Sequence, residues 1–126
     1  VIDLDRMEME FAGAFNPLYM IRKGVLSEVH GDKMPIGINA IIEKSFTNHN
    51  IKLKKGDLFY LFSDGYADQF GGPKDKKFKY SALRDLLVKI HKKPLEAQKK
   101  ELEKSFVKWK ADTDQVDDVL LIGLKI

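Results

Sequence analysis

No cysteine occurs in the 126 residues, which removes disulfides, cysteine-ligated zinc and thiol chemistry together. That absence is compatible with a reducing compartment. The sequence also lacks any apolar stretch near eighteen residues, the length a membrane-crossing helix needs, and it opens without a signal-peptide pattern. We therefore expect a cytoplasmic domain, whose parent protein is either soluble or membrane-anchored. Histidine is scarce: His30 sits near a turn, His49 in a polar strand and His91 at a helix end, none with a paired acid or nucleophile at catalytic spacing. They read as surface histidines. There is no internal repeat, low-complexity tract or linker, so one domain or part of one accounts for the chain, and 44% hydrophobic residues suffice for a packed core.

What is abundant is lysine. The formal charge is +3 and the isoelectric point about 9.0, with Lys74, Lys76, Lys77, Lys79, Lys89, Lys92, Lys93, Lys99 and Lys100 all in the second half. Glu96, Glu101 and Glu103 interleave with the later lysines along an apparent helix. That pattern describes a solvated helix face better than a nucleic-acid stripe, and no nucleic-acid partner is expected.

The first half has strand period. Val1 to Asp5 and the alternating Met7-Glu8-Met9-Glu10-Phe11 suggest one hairpin, and Leu18 to Ile21 and Val25 to Val29, turning at Arg22-Lys23-Gly24, suggest another. Glu43 to Leu53 reads as a longer, largely exposed strand that turns at Lys54-Lys55-Gly56-Asp57. The second half has helical period. Leu83, Leu86, Leu87 and Ile90 place one helix over Tyr80 to Ile90 with Ser81 as its cap. Pro94 opens a second, whose Leu95, Leu102, Phe106 and Trp109 line a buried face until Asp112-Thr113-Asp114. A strand from Val119 to Ile126 closes the chain. The fold class is α+β.

The chemistry gathers where apolar strands meet acidic turns. Leu58 to Phe62 is apolar without alternation, as a strand covered on both faces should be, and Ser63-Asp64-Gly65 ends it. Asp117-Asp118 opens the terminal apolar run. Two strands can thus bring together carboxylates about fifty residues apart, and oxygen donors of this kind suit Mg²⁺ or Mn²⁺. Each pair also has a plainer reading, a common turn or the start of a strand.

Gly56 to Gly72, Phe11-Ala12-Gly13-Ala14-Phe15-Asn16-Pro17-Leu18-Tyr19, Met34-Pro35-Ile36-Gly37-Ile38 and Gln115-Val116-Asp117-Asp118-Val119-Leu120 resemble, in order and spacing, the C-terminal part of a SpoIIE-type protein serine/threonine phosphatase. This is a bacterial branch of the metal-dependent, protein phosphatase 2C-like family, and the resemblance spans the whole chain. It implies part of an α/β/β/α sandwich, with antiparallel sheets flanked by helices. It also implies that residues 1–126 are the C-terminal portion of the domain, with the N-terminal part absent. By the same resemblance, a centre of two Mg²⁺ or Mn²⁺ ions hydrolyses phosphoserine or phosphothreonine without a phosphoenzyme. Asp64 and Asp117 match the family's metal ligands, Asp118 is a neighbouring partner of Asp117, and Gly65 lets the backbone turn close to the ions. Asp68 either bonds metal-bound water or is an ordinary loop aspartate.

The family's first metal motif, an aspartate followed by Gly-His-Gly, does not occur in this chain. The isolated 126 residues are therefore expected to bind metal weakly and to be inactive. Phe15 stands where many relatives have histidine or asparagine, with Asn16 as a turn cap. The Gln69-Phe70-Gly71-Gly72-Pro73 loop and its lysines lie beside Asp64, where Lys76 or Lys77 could meet a substrate phosphate or simply be solvated.

The resemblance implies the output domain of a bacterial signalling protein of the two-component kind. Its substrate class is a phosphorylated regulatory protein such as an anti-sigma-factor antagonist, and a sensor or receiver domain lies upstream. The alternative is a non-catalytic interaction module on a degenerate or truncated phosphatase fold. In either case, exposed sheet edges and core-facing apolar residues would favour self-association of the isolated chain.

Overall fold

The computed structural model describes residues 1–37 and 45–126. In chain order the elements are β1 (Ile2–Asp3), β2 (Glu8–Phe11), β3 (Leu18–Arg22), β4 (Val25–Val29), β5 (His49–Lys52), β6 (Leu58–Phe62), α1 (Gly65–Asp68), β7 (Phe70–Gly71), β8 (Lys76–Lys77), α2 (Tyr80–Ile90), α3 (Leu95–Lys110) and β9 (Leu121–Lys125).

Both expected hairpins form. β1 pairs antiparallel with β2, Ile2 opposite Met9, and β3 pairs with β4 through a turn in which Lys23 and Gly24 have φ of 52° and 80°. Successive positive φ values make the tight turn whose twist matches a right-handed hairpin, and glycine at the second position lowers its strain. One sheet runs β1-β2-β5 and a second runs β4-β3-β6-β9, antiparallel throughout.

Period-two alternation in the second sheet separates two cores. Tyr19, Ile21, Leu58, Tyr60 and Phe62 face the helices and join Tyr66, Leu83, Leu87, Ile90 and Leu102. Leu18 and Phe59 point the other way and meet Met9 and Leu53 of the first sheet. The layers are sheet, sheet and helices, which is the α+β arrangement expected and three of the four layers of the sandwich. Arg22 ties the layers at one end: its guanidinium donates to both carboxylate oxygens of Asp57 at 2.8 and 2.6 Å and to the Lys52 carbonyl at 2.6 Å.

Three expectations shift. The strand predicted over Glu43 to Leu53 is confined to His49–Lys52, because its partner β2 ends at Phe11 opposite His49. Ahead of it, Thr47 bonds the Asp32 carboxylate instead, and Glu43 and Lys44 lie outside the described residues. Leu61 is 40% exposed, since the first sheet does not extend over this end of β6. Ser81 lies inside α2, which starts after Lys79 at φ 76°; Lys79 donates its N–H to the Ala67 carbonyl at 2.7 Å. That tie to α1 sets the helix start without a side-chain cap.

Candidate metal-binding site

The central strand β6 and the edge strand β9 end side by side, Phe62 opposite Leu121. Ser63 extends the ladder by one rung. Its N–H donates to the Leu120 carbonyl at 3.0 Å, and its hydroxyl donates to the Asp118 carbonyl at 2.8 Å while accepting the Leu120 N–H at 2.9 Å. A serine in this turn therefore fastens the two acidic segments together, a role the sequence did not disclose.

Asp64 follows at the N-cap of α1 with helical φ and ψ, and its exposed side chain caps nothing. Its carboxylate is thus not engaged by the helix it precedes. Gly65 is buried against the opposite segment: a Cβ there would lie 2.4 Å from the Asp118 carbonyl oxygen and 3.3 Å from that of Asp117. Only a residue without a side chain allows this approach, so the glycine sets how closely the two acidic turns meet. Asp117 is exposed; one of its carboxylate oxygens accepts the Asp118 N–H at 2.7 Å, and its carbonyl accepts the Gln115 amide at 2.9 Å. Asp118 is exposed as well.

Asp68 lies one turn along α1, donating its N–H to the Asp64 carbonyl at 2.9 Å, and its carboxylate pairs with Lys77 at 3.0 Å. Lys77 is therefore engaged within the fold. The Gln69 to Lys77 loop is a short hairpin, β7 opposite β8, rather than a loose segment. Tyr80 joins the site without a signal in the sequence. Its ring centre lies 6.1 Å from that of Phe62 at the end of β6; burial raises its hydroxyl pKa first, and the charges of Asp64 and Asp68 raise it further.

Carboxylate oxygens are donors of the kind a hard cation takes, and the two turns that carry them meet at their backbones. Among the described residues, however, no group of three or more histidine, cysteine or acidic side chains converges to hold a metal. The acidic turns meet without forming a closed cluster. The histidines add nothing to it: His91 bonds the Val88 carbonyl, His49 packs against Phe11, and His30 is exposed beside Glu28. Phe15 sits in a turn at φ 58°, 60% exposed, where Asn16 donates its backbone N–H to the Ala14 carbonyl at 2.6 Å.

The family model for stage II sporulation protein E (SpoIIE) matches residues 1–126. Among solved structures, the SiaA-PP2C domain of Pseudomonas aeruginosa is similar at a TM-score of 0.87 and 27% identity, over 96% of this chain and 47% of that one. The PP2C phosphatase domain of Bacillus subtilis SpoIIE, solved with a fragment of its regulatory domain, gives 0.77 at 22% identity, over 99% of this chain and 36% of that one. The same phosphatase domain presoaked with Mn gives 0.66 at 19% identity, over 100% and 54%. The last two identities speak to the fold alone. No curated protein matches significantly. The chain spans roughly half or less of these solved chains.

Proposed function

The chain belongs to the SpoIIE family, and from that premise we propose that it is the C-terminal portion of a phosphatase domain that hydrolyses phosphoserine and phosphothreonine in a regulatory protein. The observation that carries this reading is the seat of Gly65 on the Asp117–Asp118 peptide, which joins the acidic ends of β6 and β9. Asp64 and Asp117 are the catalytic aspartates and act as ligands to two Mg²⁺ or Mn²⁺ ions, the remaining ligands coming from a preceding part of the polypeptide. Such ions, when bound, supply an activated water and offset charge on the phosphoryl oxygens.

The chain's own residues prepare the site. The Asp118 N–H holds one oxygen of Asp117, fixing the carboxylate plane and leaving the second oxygen for an ion. Gly65 lets the turn approach, and Ser63 keeps the strand ends in register. Asp68 completes the acidic patch, with Lys77 limiting its repulsion of Asp64. The substrate class is a phosphorylated regulatory protein of the anti-sigma-factor-antagonist kind, and the domain is the output of a larger signalling protein. The regulatory domain named for the Bacillus subtilis relative supports that placement.

The test is Mn²⁺-dependent hydrolysis of a phosphothreonine peptide by the full-length protein, its Asp64→Ala and Asp117→Ala variants, and the 126-residue chain alone. Activity confined to the unaltered full-length protein is expected. A folded, metal-supplied full-length protein that is inert on several phosphoproteins would overturn the reading in favour of a binding module.

A further inference from the structure

The Asp68-Gln69-Phe70-Gly71-Gly72 stretch is more elaborately held than a surface hairpin requires. Gln69 is 0% exposed. Its amide nitrogen donates to the Asp114 carbonyl at 2.8 Å and the Phe70 carbonyl at 3.0 Å, with the Thr113 hydroxyl at 3.4 Å. Its carbonyl accepts the Trp109 indole N–H at 3.0 Å and the Phe78 N–H at 2.9 Å. The Thr113 hydroxyl lies within donating distance of two carbonyls, Phe70 at 2.8 Å and Lys110 at 2.7 Å, and its single hydrogen serves one of them at a time. The amide oxygen has no partner among the described residues, so the side chain is oriented by what its nitrogen donates to.

Two of those partners, Thr113 and Asp114, lie on the segment that carries Asp117. From Asp114 only Gln115 and Val116, both exposed, intervene before it, and the next firm tie is the Ser63 hydroxyl on the Asp118 carbonyl. Asp117 thus hangs between two anchors, Gln69 at Asp114 and Ser63 at Asp118. Both anchors flank α1, at whose N-terminus Asp64 sits.

We propose that Gln69 is a positioning residue that sets where the Asp117 carboxylate returns beside Asp64. This rests on the assignment of both aspartates as metal ligands. Gln69 touches neither ion nor substrate; it acts through the carbonyl of Asp114, three residues before the ligand.

The test uses the full-length protein with Mn²⁺ as probe. Gln69→Met keeps length and burial but removes the donor. It is expected to weaken Mn²⁺ binding by about tenfold or more, the usual effect of losing a residue that orients a metal ligand. It should lower kcat on a phosphothreonine peptide with little change in KM, and speed amide exchange at Asp117 and Asp118. Trp109→Phe removes the indole N–H given to the Gln69 main-chain carbonyl and part of the ring packing on Phe78, but leaves the Gln69 side-chain amide bonds in place, so it should lower thermal stability while leaving Mn²⁺ affinity near that of the unaltered protein. If Gln69→Met does not fold, Thr113→Val, which cuts the same clamp more gently, should shift Mn²⁺ affinity in the same direction. Unchanged Mn²⁺ affinity in a destabilised Gln69→Met protein overturns the proposal and leaves the metal assignment standing. Absence of Mn²⁺ binding in the unaltered protein overturns the metal assignment. The exchange rates then decide positioning alone: it survives if Asp117 and Asp118 exchange faster in Gln69→Met than in Trp109→Phe and is overturned if they do not.

Discussion

Asp57 shows how much one side chain can hold when its donors come from three directions. It is 1% exposed and accepts the Arg22 guanidinium and the Lys54 N–H, the latter at 2.8 Å. Chiefly the Arg22 hydrogen bonds hold its carboxyl below the ordinary 3.8, against the opposing effect of burial. A folded pKa below the unfolded one means stability that is complete above about pH 4 and drains away as pH falls through the lower folded value. Urea unfolding followed from pH 6 to pH 2 should show that acid loss, and Asp57→Asn should flatten it. Asp57→Ala, which strands Arg22, should cost about 3 kcal/mol. At the other extreme of pH, burial pushes the Tyr60 hydroxyl up to about 12, and the hydroxyl donates to the Gln98 amide oxygen at 2.7 Å. Its contribution is complete below pH 10 and is lost as pH rises toward 12, so Tyr60→Phe should reduce the alkaline loss of stability when the same unfolding is followed upward from neutral pH. The meeting of the acidic turns at Asp64 and Asp117 was legible in the sequence because each turn lies at the end of an apolar run. Ser63 and Gln69 were not, because a bond from a side chain to a distant carbonyl leaves no spacing to read, and Asp57 was not, because its chief partner is the Arg22 side chain on another strand.

Elements with a strong apolar pattern emerged from the sequence nearly to the residue: α2, by its helical period, spans Tyr80–Ile90, and β6, by its unbroken apolar run, spans Leu58–Phe62, both as read. The β7–β8 hairpin escaped, since strands of two residues have no period and are held from outside. What holds them is the end of α3. Gly72 donates its N–H to the Trp109 carbonyl at 2.9 Å, and a Cβ on Gly71 would fall 1.9 Å from that same oxygen. Trp109 also stacks edge-on against Phe78, 5.4 Å between ring centres. Gly56 offers a contrast, with φ of 92° but no atom within 4 Å of the place a Cβ would take. Gly56→Ala should therefore cost about 1 kcal/mol of backbone strain. Gly71→Ala must push backbone from backbone and should cost at least about 2–3 kcal/mol. Thermal unfolding of the two variants side by side checks the order; a Gly71→Ala protein as stable as Gly56→Ala would refute the clamp between hairpin and helix.

At the scale of the whole molecule, the face of the second sheet turned toward the first is only partly covered. Phe59 is 2% exposed beneath the first sheet, whereas Leu61, Leu120, Ile122 and Leu124, farther along the same side, are 40%, 57%, 48% and 37% exposed. The strand β9 that carries much of this stripe is also the edge of its sheet, with no neighbour on its outer side among the described residues. An apolar stripe beside an unpaired edge is a template for another chain. The sequence announced the apolar run but not which half of it would be bare, because coverage is decided by how far the facing sheet extends and not by local period. The 126-residue chain alone is thus expected to self-associate at micromolar concentration, measured by light scattering behind size-exclusion chromatography. Ile122→Lys places a charge on the stripe and should return it to monomer. In the full-length protein the proposed preceding half covers this face, so the same substitution should there lower stability by about 2 kcal/mol or more, as burying an unpaired charge does. A monomeric isolated chain, together with a full-length protein indifferent to Ile122→Lys, would mean that the stripe is ordinary surface and that the preceding half packs elsewhere.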